Sequence, residues 1–202
     1  ERHKYGLGLS YVHKGFDLAQ GSRWSCQMVS AGFGYAPAPY LSAGIVTKTL
    51  FSSSDLADVG VSAYGIDVGT RLELTPRVTM GLVIRNMVGS AKWDGGETET
   101  VPAMFNFGGA VRMPYGMSAE LAMTFAGGGS NKIGLGLDAP ILETGFNVRG
   151  GYLLMPGDYS RNILTAGFGY HYLRYRLAYA VRVGDESAFG VTHHISLSGD
   201  LR

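Results

Sequence analysis

Cysteine occurs once, at position 26. The chain therefore closes no disulfide within itself and offers neither a thiolate zinc site nor a Cys-x-x-Cys redox pair. Charge is scarce too. Only 16% of residues are charged, against about 25% in an average soluble domain. Lys and Arg number 17 and Asp and Glu 16, a net charge of +1, which leaves no basic excess for a polyanion, so nucleic acid is not an expected partner. The opening Glu1-Arg2-His3-Lys4 has no apolar run behind it, so no signal peptide is expected. A membrane-spanning helix is also missing. The longest charge-free stretch, Trp24–Thr47, is broken by Pro37 and Pro39 and by Gly32, Gly34 and Gly44, whereas a spanning helix needs about 20 apolar residues in one run. What is abundant is glycine, 31 of 202 residues, about twice the usual share of roughly 7%. A hydrophobic content of 46% is too high for a disordered chain.

The dominant pattern is a period of two. Tyr64, Ile66, Val68, Leu72 and Leu74 alternate with Gly65, Asp67, Gly69, Arg71 and Glu73. Such alternation is a strand signal. It returns over Phe105–Met113, Met117–Phe125, Ile133–Leu137, Phe146–Leu154, Tyr175–Val181 and Val191–Leu201, and more weakly over Tyr5–His13, Val29–Tyr35, Leu41–Phe51, Val78–Val88 and Ile163–Tyr170. This makes about twelve strands of about 9–14 residues, a length that crosses a bilayer obliquely. Turns are expected at Lys14-Gly15, Pro37-Ala38-Pro39, Thr75-Pro76, Pro114-Tyr115-Gly116, Gly127-Gly128-Gly129 and Pro156-Gly157-Asp158. No segment shows a helical period, and Ser52–Asp58 holds one turn at most.

In a soluble sandwich the polar face would meet water and carry many lysines. Here it is Gly, Ala and Ser with isolated charges of both signs, which suits a barrel lumen. The apolar face carries Tyr5, Tyr11, Tyr35, Tyr40, Tyr152, Tyr170, Tyr172 and Tyr175 near strand ends, and aromatic girdles mark the two interfaces of a membrane barrel. The fold expected is all-β, an antiparallel up-and-down transmembrane β-barrel, with residues 1–202 as one domain and membrane lipid as its surroundings.

Catalytic and cofactor motifs are not found. Gly127-Gly128-Gly129-Ser130 lacks the lysine of a phosphate loop. His193 and His194 are adjacent and point to opposite faces of a strand. His171 has no Gly-x-Ser-x-Gly partner. The expectation is a non-enzymatic protein with no cofactor and no metal. Asp67, Arg71, Glu73, Arg85, Arg112, Glu120, Arg149, Arg176 and Arg182, together with Lys48, Lys132, Asp138 and Asp200, are expected to pair across strands as a lumenal charge network, because unpaired charge there is costly. The inner face is read as offering no apolar pocket, with Val83 and Leu153 as its few apolar residues. The longest loop is placed at Ala91–Val101. Its Trp93, with Lys92, Asp94 and Glu97 around it, has the composition of a contact patch for another protein.

The order of several segments resembles the PorV/PorQ-like outer-membrane proteins, relatives of the FadL-type barrels. The segments are Ser30–Ala36, Leu41–Lys48, Gly65–Gly69, Met80–Asn86, Val101-Pro102, Phe146–Tyr152, Leu177–Ala180 and Gly190–Ser198. Each is weak alone; their order and spacing carry the likeness. The family's Gly-, Met- and Asn-Pro-rich beginning and its terminal aromatic residue have no counterpart, so the chain looks like the C-terminal part of a longer member or a shortened relative. The family barrel has about 14 strands. The resemblance implies the bacterial outer membrane and a scaffold or shuttle subunit of a secretion or surface-assembly complex, with other outer-membrane or surface proteins as partners. A FadL-like transporter of hydrophobic small molecules is the alternative.

Overall fold

A computed structural model describes residues 4–17, 23–54, 59–127, 131–141, 144–156, 161–184 and 191–199. They gather in two compact units, Glu1–Leu72 with Gly81–Asn106, and Glu73–Met80 with Phe107–Arg202. The first holds β1 (Lys4–Asp17), β2 (Arg23–Ala38), β3 (Leu41–Ser54), most of β4 (Val59–Thr75) and of β5 (Val78–Trp93), and the short β6 (Thr98–Thr100). The second holds most of β7 (Met104–Arg112), then β8 (Ser118–Ala126), β9 (Lys132–Pro140), β10 (Phe146–Met155), β11 (Arg161–Tyr172), β12 (Tyr175–Gly184) and β13 (Thr192–Gly199). Strands neighbour one another in chain order within each unit, and β6 pairs β5. Among the described residues the one helical element is a 3-10 turn at Pro114–Gly116. The pairing is antiparallel throughout, as short connections between consecutive strands require.

The expected alternation is present, and it is inverted relative to a water-soluble protein. Leu7 and Leu9 are 84% and 87% exposed, and Tyr64, Leu135, Leu164 and Ile195 are also exposed. In β2 the small residues Ser30, Gly32, Gly34 and Ala36 are the half-buried set, while Val29, Phe33 and Tyr35 between them are exposed. Among the described residues a single hydrophobic side chain, Ile163, is buried. A sheet without an apolar core, wearing its apolar residues outside, has lipid as its complement rather than water. Aromatic residues cluster near one strand end of the second unit: Phe146 and Tyr170 lie 4.4 Å apart and Tyr170 and Tyr172 6.3 Å, centroid to centroid. Rings of this kind sit at the headgroup level.

Several expectations change. Lys14 and Gly15 do not turn; β1 runs on to Asp17, with Gly15 opposite Ser25. A chain partner on β2 is already available there, so the Gly is absorbed in the ladder. Pro37 and Ala38 lie in β2, and the turn is Pro39-Tyr40. Register shifts between Tyr35 and Ala38, an irregularity that accommodates Pro37, which has no N–H to donate. The turns at Pro76 and Pro114–Gly116 stand as expected. Residues 128–129 and 157–158 lie outside the described residues, as do Asp200 and the part of the Ser52–Asp58 stretch after Ser54, whose first three residues belong to β3. The supposed long loop Ala91–Val101 is mostly a hairpin: β6 folds back so that Ser90, Ala91 and Lys92 pair with Thr100, Glu99 and Thr98. That three-residue strand takes the number to thirteen.

Candidate functional site

Register brings together residues that lie far apart in sequence. In the first unit Gly6 sits opposite Gly34, Gly34 opposite Gly44, and Gly44 opposite Gly69. Four glycines thus form one row across β1 to β4 on the inner face. The row is a trough, because no Cβ rises from it. Beyond it Val83 closes the trough, its Cγ2 3.1 Å from where a Cβ of residue 69 would stand. A cavity of about 530 Å³ lies over this row, lined by Gly6, Gly34, Gly44, Gly69, Val46 and Val83 among others. Lys4, Ser42, Asp67, Thr70 and Arg71 border it as polar groups. The inner face therefore does hold an apolar pocket, contrary to expectation. Small residues do not fill space there; aligned across four strands, they open it.

Below the trough Asp67 organises a polar node. Lys48 Nζ donates to both Asp67 oxygens, at 2.7 and 2.9 Å, and the Asn86 backbone N–H donates to Asp67 Oδ1 at 2.8 Å. Asn86 is 8% exposed and has φ of 52°, a left-handed conformation that Asn tolerates better than most residues. Val83 and Asn86 both face the inner side, three positions apart, so β5 carries a bulge between them that breaks the period of two. Gly65 leaves room for the node: a Cβ there would stand 2.9 Å from Lys48 Cε and 3.1 Å from Asn86 Oδ1.

The other expected network members divide. Arg149 pairs with Asp138, Nε to Oδ2 at 2.5 Å, directly across β9 and β10. Arg71, Glu73 and Arg182 each engage a neighbour. Arg85, Arg112, Glu120 and Arg176 are exposed, Arg85 immediately before the bulge. Charge is not balanced locally. On the inner face of β7 to β12 stand Arg112, Lys132, Arg149, Arg161, Arg176 and Arg182, against Glu120 and Asp138. Lys92, Asp94 and Glu97 are exposed, but Trp93 is half-buried, and its Nε1 is shielded from solvent without an acceptor among the described residues. The Trp93 backbone N–H donates to Glu97 O at 2.9 Å, closing the hairpin. Trp93 is thus a half-buried residue at the end of β5 rather than the tip of a long loop. His193 and His194 point to opposite faces, opposite Val181 and Ala180, and His193 Nδ1 shares a 2.7 Å hydrogen bond with the Tyr179 hydroxyl. The glycine row and the bulge were not found by sequence reasoning. Only the glycine excess hinted at the first.

No protein-family model matches the chain, and no curated protein sequence matches it. Solved structures do. The CymD monoaromatic hydrocarbon channel superposes with a TM-score of 0.70 at 14% identity, covering 100% of this chain and 80% of CymD. A Pseudomonas aeruginosa FadL homologue gives 0.65 at 11% identity, over 96% of this chain and 72% of the homologue. A deletion mutant of the TodX monoaromatic hydrocarbon channel gives 0.61 at 12%, over 88% and 72%. The fold is that of bacterial outer-membrane β-barrels.

Proposed function

We propose that this chain is an outer-membrane channel for small hydrophobic molecules, with the cavity over the glycine row as a binding station. The observation that carries the reading is the cavity itself. Its volume falls within the roughly 300–1,000 Å³ of ordinary ligand sites, and its wall is largely Gly, Ala and Val. The likeness to two monoaromatic hydrocarbon channels supports the same class of cargo, neutral and ring-sized. The secretion-scaffold role implied by the PorV/PorQ resemblance ranks second. It calls for a lumen without an apolar pocket, whereas the inner face of the first unit holds one, and for a Trp93 contact patch, whose tryptophan is half-buried at the end of β5. No bond-making chemistry belongs to the reading; the chain lowers a barrier to passage by offering an apolar surface on the inner side.

The test fills the trough. A Cβ at Gly34 would meet no atom closer than 3.9 Å, so Gly34→Val adds bulk into open space with little strain on the sheet. The expected outcome is a several-fold fall in toluene uptake by cells or vesicles carrying the variant, with membrane insertion unchanged. Uptake equal to the parent in a correctly inserted Gly34→Val protein would refute the proposal.

A further inference from the structure

A second inner-face cavity, about 520 Å³, lies in the other unit where the β9–β10 and β11–β12 turns come together. Its polar wall is Asp138, Asn147, Arg149, His171 and Arg176, and Pro140 and Ile141 supply an apolar side. Two donors are already spent on one acid: Asn147 Nδ2 reaches Asp138 Oδ2 at 2.8 Å, and Arg149 Nε reaches the same oxygen. The space that Asn147 occupies exists because residue 169 is glycine, whose Cβ position the Asn147 amide overlies. Asp138 is thereby used up as a counter-charge. Arg176 stands directly opposite His171 across β11 and β12, and no hydrogen bond or ion pair among the described residues engages either side chain. The wall thus presents one unspent guanidinium, the outer nitrogens of Arg149 and an imidazole, beside apolar carbon. The surrounding inner face of β7 to β12 carries the cationic excess described above, which adds to the attraction in a confined space with low-dielectric walls.

We infer that this cavity binds a small organic anion, a carboxylate on an apolar body, by a fork of Arg176 and Arg149 with His171 as a further donor. Planar guanidinium groups match the two oxygens of a carboxylate, and Pro140 and Ile141 take the hydrocarbon part. The cavity sits at the tight-turn end of its unit, the end that faces the periplasm in outer-membrane barrels. This extends the channel reading from neutral cargo to its acidic relatives, since a ring bearing a carboxylate has both halves of the required chemistry.

The experiment compares benzoate with benzamide, its neutral near-isostere, by titration calorimetry on the purified chain in detergent. Benzoate is expected to bind at least about tenfold more tightly than benzamide, as a charge-assisted pair should. Arg176→Gln should bring that ratio close to one, with the far-ultraviolet spectrum unchanged. His171→Gln should reduce it partly. Glu143, between β9 and β10 in the sequence, lies outside the described residues, so the series is repeated with Glu143→Gln, where the ratio should hold or rise. Equal binding of benzoate and benzamide, a ratio untouched by Arg176→Gln, or benzoate binding that emerges only with Glu143→Gln would each overturn the inference. So would inorganic phosphate displacing benzoate at equal concentration, because the site would then read charge alone. Toluene flux through the parent protein is measured separately. Its absence would sink the channel reading and leave the binding result standing, whereas flux without benzoate preference would sink the anion site alone.

Discussion

Asn86 shows what one residue does in this sheet. Its left-handed backbone turns β5 out of the period of two and aims its N–H at Asp67, which also holds Lys48. Two requirements meet there, a positive φ and a short polar side chain whose Nδ2 donates to Pro102 O at 3.4 Å. They separate by substitution. Asn86→Gly keeps the conformation and loses the side chain, and should cost about 1 kcal/mol. Asn86→Val adds a β-branched residue at an angle it resists and removes the donor, and should cost about 2–4 kcal/mol, the left-handed term alone being about 1–2. Urea unfolding of the protein in lipid vesicles measures both. Equal costs would mean that the conformation at 86 places no demand on residue type. The bulge was invisible in the sequence because Val78–Val88 reads as one strand; a shift of face leaves no mark in composition.

At the scale of an element, β9 is the cleanest case. Leu135 and Leu137 are exposed, while Gly134 and Gly136 lie on the other face, opposite Leu153 and Gly151 of β10. This alternation was fully legible from residues 132–138, since a strand's two faces differ by parity alone. Nitroxide labels placed singly along β9, with Cys26 replaced by Ser, should therefore alternate. Positions 133, 135 and 137 should relax with membrane oxygen, and 134 and 136 with a water-soluble nickel chelate. Uniform relaxation, or the opposite parity, would reverse the assignment of faces. Leu135→Arg should follow the same rule, destabilising by about 2–4 kcal/mol if its site lies near the midplane. The hairpin of β5 and β6 was less legible. Ala91–Val101 is charged and polar, a composition that strands and loops share, and only pairing of Ala91 with Glu99 decides between them.

For the whole molecule the decisive feature is the lack of an apolar core among the described residues, where Ile163 alone is a buried hydrophobic side chain. A water-soluble domain of this size gains most of its stability from apolar burial. Here backbone ladders and the surrounding lipid do that work, so the fold should depend on an amphiphile. Dilution below the critical micelle concentration without added lipid should cause aggregation with loss of heat-modifiable gel mobility, and refolding into vesicles should restore it. A chain that stayed monodisperse and folded in plain buffer would contradict the outward-apolar arrangement. Each unit carries its own cavity, one lined by an aligned glycine row and one by Arg149, His171 and Arg176, and the overall balance of charge concealed the second.

Parity, apolar alternation, turn residues and the excess of glycine are local properties, and from them the sequence by itself determined an all-β, outward-apolar membrane fold and excluded helices across the bilayer. Register is not local. Which residue of one strand lies opposite which residue of the next depends on long-range pairing, and a slip by one residue exchanges the faces. Only the tertiary structure could therefore place Gly6, Gly34, Gly44 and Gly69 in one row, set Arg149 against Asp138, and leave Arg176 beside His171. Both cavities, and with them the proposed function, arise from that alignment, because space and charge on a sheet are set by neighbours across strands rather than by neighbours along the chain.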